Sequence, residues 1–395
     1  MTASAKSLSD EVCIVGVGQT EFNRGSGVSN VALATRASLL ACADAGLDPS
    51  EIDGILPPHQ GTSACAEDLM AALRVRELRY TAIVYMGGAS AVASLQTAAI
   101  ALASGLCNYV LAVRARNGFS ERTGSNAAHL ISILPGSHYR RDFELPYGFS
   151  SPVQWYSLMA RRHIEEFGTT REQLGHVALA MRRHANLNPH AQMHAKALTM
   201  EQYLASRPIS EPYHLLDCCL ETDGGSAIVL TTRERARTMR HPVVSLAGFA
   251  EGHSDSPDDL VNRRDWHSIG LTRAAPRAFD MAGLGPQDMD AAMIYDCFTF
   301  EVLQQLEESG FCARGEGGPF VAGGNIELGG RLPVNTHGGL LSEGHISGMN
   351  HIVEAVQQLR GQCGARQVAN ARHVYVSGWG DLGDGSAAIL RREGA

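Results

Sequence analysis

The chain has 395 residues, 44% of them apolar, which is enough to bury more than one core and points to a globular protein of two or three domains by size. Its 33 basic and 41 acidic residues leave a formal charge of −8, so no cationic field favours nucleic acid or an anionic membrane. Nine cysteines without CxxC spacing argue against a disulfide scaffold and for a reducing cytoplasm, and no stretch has the apolar length of a membrane span or a signal peptide.

The first predicted element is a strand in EVCIVGVGQTEF (11–22), a short apolar run broken by glycines. A helix-like segment follows and ends at AGLDPSEID (45–53), with glycine where a C-cap belongs and proline just beyond. Residues 84–105 read as a glycine turn and an alanine-rich helix, and YVLAVRA (109–115) reads as the next strand. A segment rich in His, Arg and aromatics then runs from about 117 to 215. It contains two stretches of helical apolar spacing, 155–168 and 170–185. Lying between a strand and the closing strand DGGSAIVL (223–230), this insertion is expected to form a lid over the functional face.

The same plan then starts again. PVVSLAGFAEGH (242–253) repeats the opening strand, and AGLGPQDMD (282–290) matches AGLDPSEID with five identities at the same spacing. SEGHISGMNHIVEAVQQLRG (342–361) is turn then helix, HVYVSGWG (373–380) is a strand, and DGSAAIL (384–390) answers DGGSAIVL. Ordered pairs of this kind indicate a duplication. The predicted architecture is two homologous α/β halves, 1–236 and 240–395, with strands and crossover helices in layers.

The motifs IVGVGQTEF (14–22), ANLNPHA (185–191), LLDCCLETDGGSA (215–227), YDCFTFEVLQQLEESGFC (295–312) and PVNTHGGLLSEGH (333–345) together resemble the thiolase superfamily nearly end to end, in particular its sterol-carrier-protein-type thiolase-like members. The resemblance implies a duplicated αβαβα layered sandwich, with catalytic groups at helix N-termini of both halves, and a homodimer formed through the first half. It also shows departures. The nucleophilic cysteine of thiolases, 14 residues before Leu102, corresponds to Gly88. Tyr295 replaces the Asn of the family's Asn-Glu-Ala-Phe motif. No cysteine stands in Ser377–Gly385, where the second thiolase cysteine belongs, and His345 retains the histidine of the GHP motif with Ile346 in place of its proline.

Without a thiol, ping-pong acyl transfer is closed. What remains suits a reaction through a thioester enolate: His345 as general acid/base, Tyr295 as its proton-transfer partner, and backbone amides around Gly88 and Gly380, with Asn335, as oxyanion donors. Asp296, His337 and Glu343 are candidates for supporting these groups, set against the plainer readings of a strand-end carboxylate and turn caps. Cys218, Cys219 and Cys297 read as buried apolar thiols. His184, His190 and His194 lack a metal-binding pattern and are expected at the surface or near CoA, which would lie along the lid with arginines such as Arg182 and Arg183 near its phosphates.

The chain is similar to steroid side-chain-cleaving aldolases, which resemble thiolases without the nucleophile and act with an OB-fold partner. In the best-known branch two tyrosines are catalytic; Tyr295 matches one, and the other corresponds to His345. The expected activity is retro-aldol cleavage of a β-hydroxyacyl-CoA, with an OB-fold or zinc-ribbon partner protein, CoA as part of the substrate, and no metal or redox cofactor. An acyltransferase without a covalent intermediate and a non-catalytic acyl-CoA-binding or scaffold subunit are the alternatives that the sequence leaves open.

Overall fold

In the computed structural model, which describes residues 8–58, 64–120, 137–256, 260–380 and 383–394, the duplication is built as a pseudo-symmetric molecule. The first half comprises β1 (Val12–Gln19), α1 (Asn30–Ala45), β2 (Gly54–Leu56), α2 (Ala66–Leu73), β3 (Tyr80–Thr81), α3 (Ser90–Ala103), β4 (Tyr109–Asn117), the insertion helices α4 (Pro152–Phe167) and α5 (Arg171–Asn186), and β5 (Asp223–Thr232). The second comprises β6 (Val244–Gly252), α6 (Gly270–Ala282), β7 (Ala291–Ile294), α7 (Thr299–Glu308), α8 (Met349–Arg360), β8 (His373–Gly380) and β9 (Asp384–Arg392).

Among the described residues the strands run in the order β3-β2-β4-β5-β1-β6-β9-β8-β7. β1 and β6 meet antiparallel at the centre through only Cys13–Ser245 and Ile14–Val244. Outward from this junction each half repeats one pattern: an antiparallel neighbour (β5 or β9), a second antiparallel neighbour (β4 or β8), then a parallel strand (β2 or β7). β3 extends the first wing in parallel, and the Ala292–Val334 bridge does the same for the second.

The narrow junction lets the two wings face each other across α3 and α8. Each of these helices touches strands of both halves, and their side chains share one core, with Leu95, Leu102, Ile352 and Val356 packed among Ile14, Ile228, Leu246 and Val376. α1 and α2 cover one outer face, while α6 and α7 cover the other. This is the five-layer α/β arrangement expected from the duplication.

The glycines that open each half have a packing reason. A Cβ on Gly16 would lie 2.2 Å from the Ala41 carbonyl oxygen of α1, and one on Gly248 would lie 2.1 Å from that of Ala278 in α6. Each outer helix therefore rests directly on its strand backbone. The repeated AGL signal also takes its predicted form: Gly46 (φ 69°) and Gly283 (φ 67°) end α1 and α6 in the left-handed conformation, and short 3-10 turns follow at Pro49–Glu51 and Pro286–Asp288.

Although the insertion belongs by sequence to the first half, its helices pack against the second. Trp155, Met159 and Leu174 join Leu271, Phe300 and Leu306 in one core. Buried His163 of α4 meets Glu307 of α7 at 3.0 Å while Thr169 Oγ1 lies 2.9 Å from its other ring nitrogen. Residues 121–136 of the insertion and 381–382 of the loop after β8 lie outside the described residues.

Candidate active site

The site forms where the N-terminal turn of α3, the end of β7 and the loop entering α8 converge. Tyr295 leaves β7 and points its hydroxyl at His345, with Oη 3.0 Å from Nε2 and the two rings edge-to-face at 6.1 Å. The pair sits directly on Gly88. A Cβ there would come within 2.4 Å of Tyr295 Cζ, 2.6 Å of its hydroxyl oxygen and 2.3 Å of the Trp379 carbonyl oxygen. The tyrosine thus occupies the volume that a side chain at position 88 would need. Gly348 (φ 80°) passes on the other side of the ring, where a Cβ would stand 3.1 Å from Tyr295 Cδ2.

Gly380 brings the end of β8 against the same turn, since a Cβ on it would lie 2.3 Å from Gly88 N and Met86 O. The turn is held internally: Ser90 Oγ accepts from Met86 N at 2.8 Å and donates to Gly87 O at 2.7 Å, and the Ala89 amide bonds Met86 O at 2.9 Å. The amides of Ala89 and Ser90 already have partners, so the oxyanion donors expected in this turn narrow to those of its glycines.

His345 is held by residues that its own motif does not contain. Its amide donates to Thr222 Oγ1 at 2.9 Å, and Gln192 Nε2 donates to the same oxygen at 2.7 Å. Backbone amides of Gln192 and Met193 bond the carbonyls of Glu343 and Ser342, so the insertion grips this loop. Arg116, at the end of β4, places one terminal nitrogen 3.2 Å from His345 Nδ1 and 3.4 Å from Nε2, and Cys219 Sγ lies 3.5 Å from Nδ1.

Burial, then the Arg116 guanidinium, hold His345 well below the ordinary imidazole value. Burial likewise pushes Tyr295 well above the phenol range. At neutral pH the pair is a neutral imidazole against a neutral phenol. Burial raises the thiol of Cys219 to about 12 and also raises those of Cys218 and Cys297, which favours their protonated form at neutral pH.

The other candidates are drawn into the scaffold. Both side-chain groups of Asn335 (φ 50°) are engaged by one residue: Oδ1 accepts from Ile294 N and Nδ2 donates to Ile294 O, each at 2.7 Å. It pairs with the end of β7 as a further strand would, and does not join the Tyr295–His345 pair. Asp296 accepts from the amides of Leu340 (2.8 Å) and Leu341 (3.3 Å) and from His351 Nε2 (3.1 Å), fully buried beside the Tyr295–His345 pair.

Glu343 accepts from Asn188 and Asn350 at 3.0 and 2.7 Å, and burial raises it to about 8. His337 is fully buried, 3.7 Å from Glu343 and edge-to-face with His351 at 4.8 Å, and burial holds it well below the usual histidine value. These groups form a polar layer beneath the site and do not face it.

His190 and His194 are exposed as expected. His184 is not: it is 2% exposed, with Nε2 accepting from Leu328 N at 3.0 Å and Nδ1 against Asn335 O at 3.2 Å. Arg182 is also buried, donating to Ser342 Oγ and Lys196 O, because α5 turns that face toward the second half. Arg183 is exposed and paired with Glu327. Sequence reasoning missed Arg116, Thr222, Asn188 and His351. Thr222 and Asn188 do lie in quoted motifs, 215–227 and 185–191, but Arg116 carries no local signal beyond ending a strand at the root of the insertion.

Residues 252–392 match the family model for the thiolase C-terminal domain-like region. The chain is 41% identical to a steroid side-chain-cleaving aldolase of Thermomonospora curvata, over 90% of this chain and 91% of that protein. It is 40% identical to the 17-hydroxy-3-oxo-4-pregnene-20-carboxyl-CoA lyase of Mycobacterium tuberculosis, over 94% and 96% of the two chains. The solved structure of an Ltp2–ChsH2(DUF35) aldolase superposes with a TM-score of 0.90 at 39% identity, covering 98% of this chain and 99% of that one.

Proposed function

The chain belongs to the thiolase superfamily, among its aldolase-like members, and on that premise we propose that it is a carbon–carbon lyase that cleaves a β-hydroxyacyl-CoA by a retro-aldol reaction. The observation that carries this reading is the Tyr295–His345 contact of 3.0 Å built over Gly88, with the phenol ring in the place a nucleophile would need. Such a site has a proton-transfer pair and no acyl acceptor.

Neutral His345 takes the proton of the β-hydroxyl. The bond between the α and β carbons breaks, the β carbon becomes a carbonyl, and the electron pair passes to the thioester as an enolate. Tyr295, a neutral phenol, protonates that enolate at the α carbon and recovers a proton from His345 across their contact. The products are a ketone or aldehyde and a shorter acyl-CoA, with no net oxidation. CoA enters only as part of the substrate, and the step calls for no metal or redox cofactor.

The names of the relatives favour a steroid side chain as the acyl group. The aldolase with a DUF35 component favours a partner protein here, expected to carry an OB fold or zinc ribbon. The reading includes a homodimer and a cytoplasmic location, in keeping with nine unpaired cysteines. No helix of the described residues is long and apolar enough to cross a membrane.

The test is incubation with a panel of β-hydroxyacyl-CoA esters, with and without a DUF35-type partner, followed by mass spectrometry. A carbonyl product and a shorter acyl-CoA, both lost in His345→Ala, are expected. Binding of every ester without cleavage would leave a non-catalytic acyl-CoA protein, and release of free CoA with an acylated acceptor would make it a transferase.

A further inference from the structure

The second half supplies both members of the proton-transfer pair, and the strand wing of the first half supplies the charge beside them. Arg116 ends β4 and is partly exposed, unlike Arg114 two residues earlier, whose guanidinium is buried on the carbonyls of Pro57 and Val84. Among the described residues Arg116 forms no ion pair with a carboxylate; its polar contacts are to the His345 ring.

The geometry of that contact is informative. One terminal nitrogen lies almost equally far from the two ring nitrogens, at 3.2 and 3.4 Å. The guanidinium therefore faces the imidazole as a whole and is not committed to one lone pair. A cation in that position disfavours imidazolium, and its remaining N–H groups are available to a further acceptor. Among the described residues no acid supplies such an acceptor.

The geometry points to Arg116 as a further catalytic residue: its guanidinium takes the thioester oxygen on which negative charge develops when the bond between the α and β carbons breaks, while Tyr295 and His345 move the protons. This rests on the retro-aldol reading. It gives a site without the two thiolase cysteines a means of stabilising an anion, because a fixed cation needs no reorganisation as the charge appears. It also couples the halves, since the anion forms only where β4 of one half and the α8 loop of the other are in register.

Two measurements on Arg116→Gln and Arg116→Lys test it. The first is kcat/KM for a cleaved β-hydroxyacyl-CoA. The second is the dissociation constant of a CoA thioether carrying a nitronate in place of the enolate, compared with that of the matching uncharged thioether. Removing an oxyanion donor typically lowers kcat by about 100- to 1000-fold, so Arg116→Gln is expected to lose about 100-fold in kcat/KM. It should weaken nitronate binding by a similar factor with little change for the uncharged ligand, and Arg116→Lys should recover part of both.

Equal weakening of both ligands, or a kcat/KM within about threefold of wild type, would overturn the assignment. If the wild-type protein cleaves no ester, the lyase reading fails by itself, and the nitronate-to-thioether ratio still decides whether Arg116 binds the anion. Thermal melting of both variants shows whether any loss is one of folding.

Discussion

Tyr295 stands in the space of a side chain at Gly88: a Cβ on the glycine would meet the tyrosine's Cζ at 2.4 Å and the Trp379 carbonyl oxygen at 2.3 Å. The two departures from the thiolase pattern are thus one structural event. A glycine where the nucleophile belongs makes room for the phenol ring of Tyr295.

Restoring the missing thiol is therefore expected to fail. Gly88→Cys should show no burst of acyl-enzyme with an acyl-CoA, and its overpacking should cost about 1–3 kcal/mol of stability, read as a lower melting temperature. Replacing Tyr295 as well, in Gly88→Cys/Tyr295→Asn, removes only one of the two clashes, because the Trp379 oxygen is backbone. A stable single variant that accumulates acyl-enzyme would show that the turn has another conformation.

Tyr295→Phe keeps the ring that fills the site and removes the hydroxyl 3.0 Å from His345. Loss of one positioned acid/base lowers kcat by about 100- to 10,000-fold, with KM and melting temperature little changed. An unaltered kcat would remove Tyr295 from the proton path.

Asn335 separates a structural from an oxyanion role. Asn335→Ala removes the side-chain partner of the buried Ile294 amide and one of the two donors to its carbonyl, which keeps His351 Nε2 at 2.9 Å, and a buried group left unpaired costs about 1–3 kcal/mol. Denaturant midpoints should fall sharply while kcat of the folded fraction changes little. The reverse, a stable variant with a collapsed kcat, would place the amide in the chemistry.

His345 must be neutral to accept a proton, and burial together with Arg116 depresses its protonation. The rate should stay flat as pH falls from 8 through 6.5, with its acid limb below the ordinary histidine range. A profile that rises toward acid would mean that imidazolium is the active form.

Glu343 gives a stability effect of opposite sign. Its folded value of about 8 lies above the ordinary 4.5, so the unfolded carboxyl loses its proton first as pH rises. The stabilisation is complete below about 4.5 and is lost as pH climbs toward 8. Glu343→Gln, which mimics the protonated acid, should become progressively more stable relative to wild type across that window. Parallel melting curves for the two proteins from pH 5 to 8 would contradict this.

The sequence by itself determined the duplication, because a repeated strand, C-cap glycine and proline are local signals that need no partner to be read. The absence of cysteine at 88 and between 377 and 385, and the survival of His345, were legible for the same reason. Only the tertiary structure decided what the polar residues do. Asn335 faces Ile294 and not the site, because its left-handed turn lays the side chain along β7. His184 and Arg182 are buried since α5 packs on the opposite half. Arg116, invisible as a single arginine ending a strand, becomes the cation of the site because β4 and the loop before α8 come from different halves and meet only when the two wings close over the shared helices.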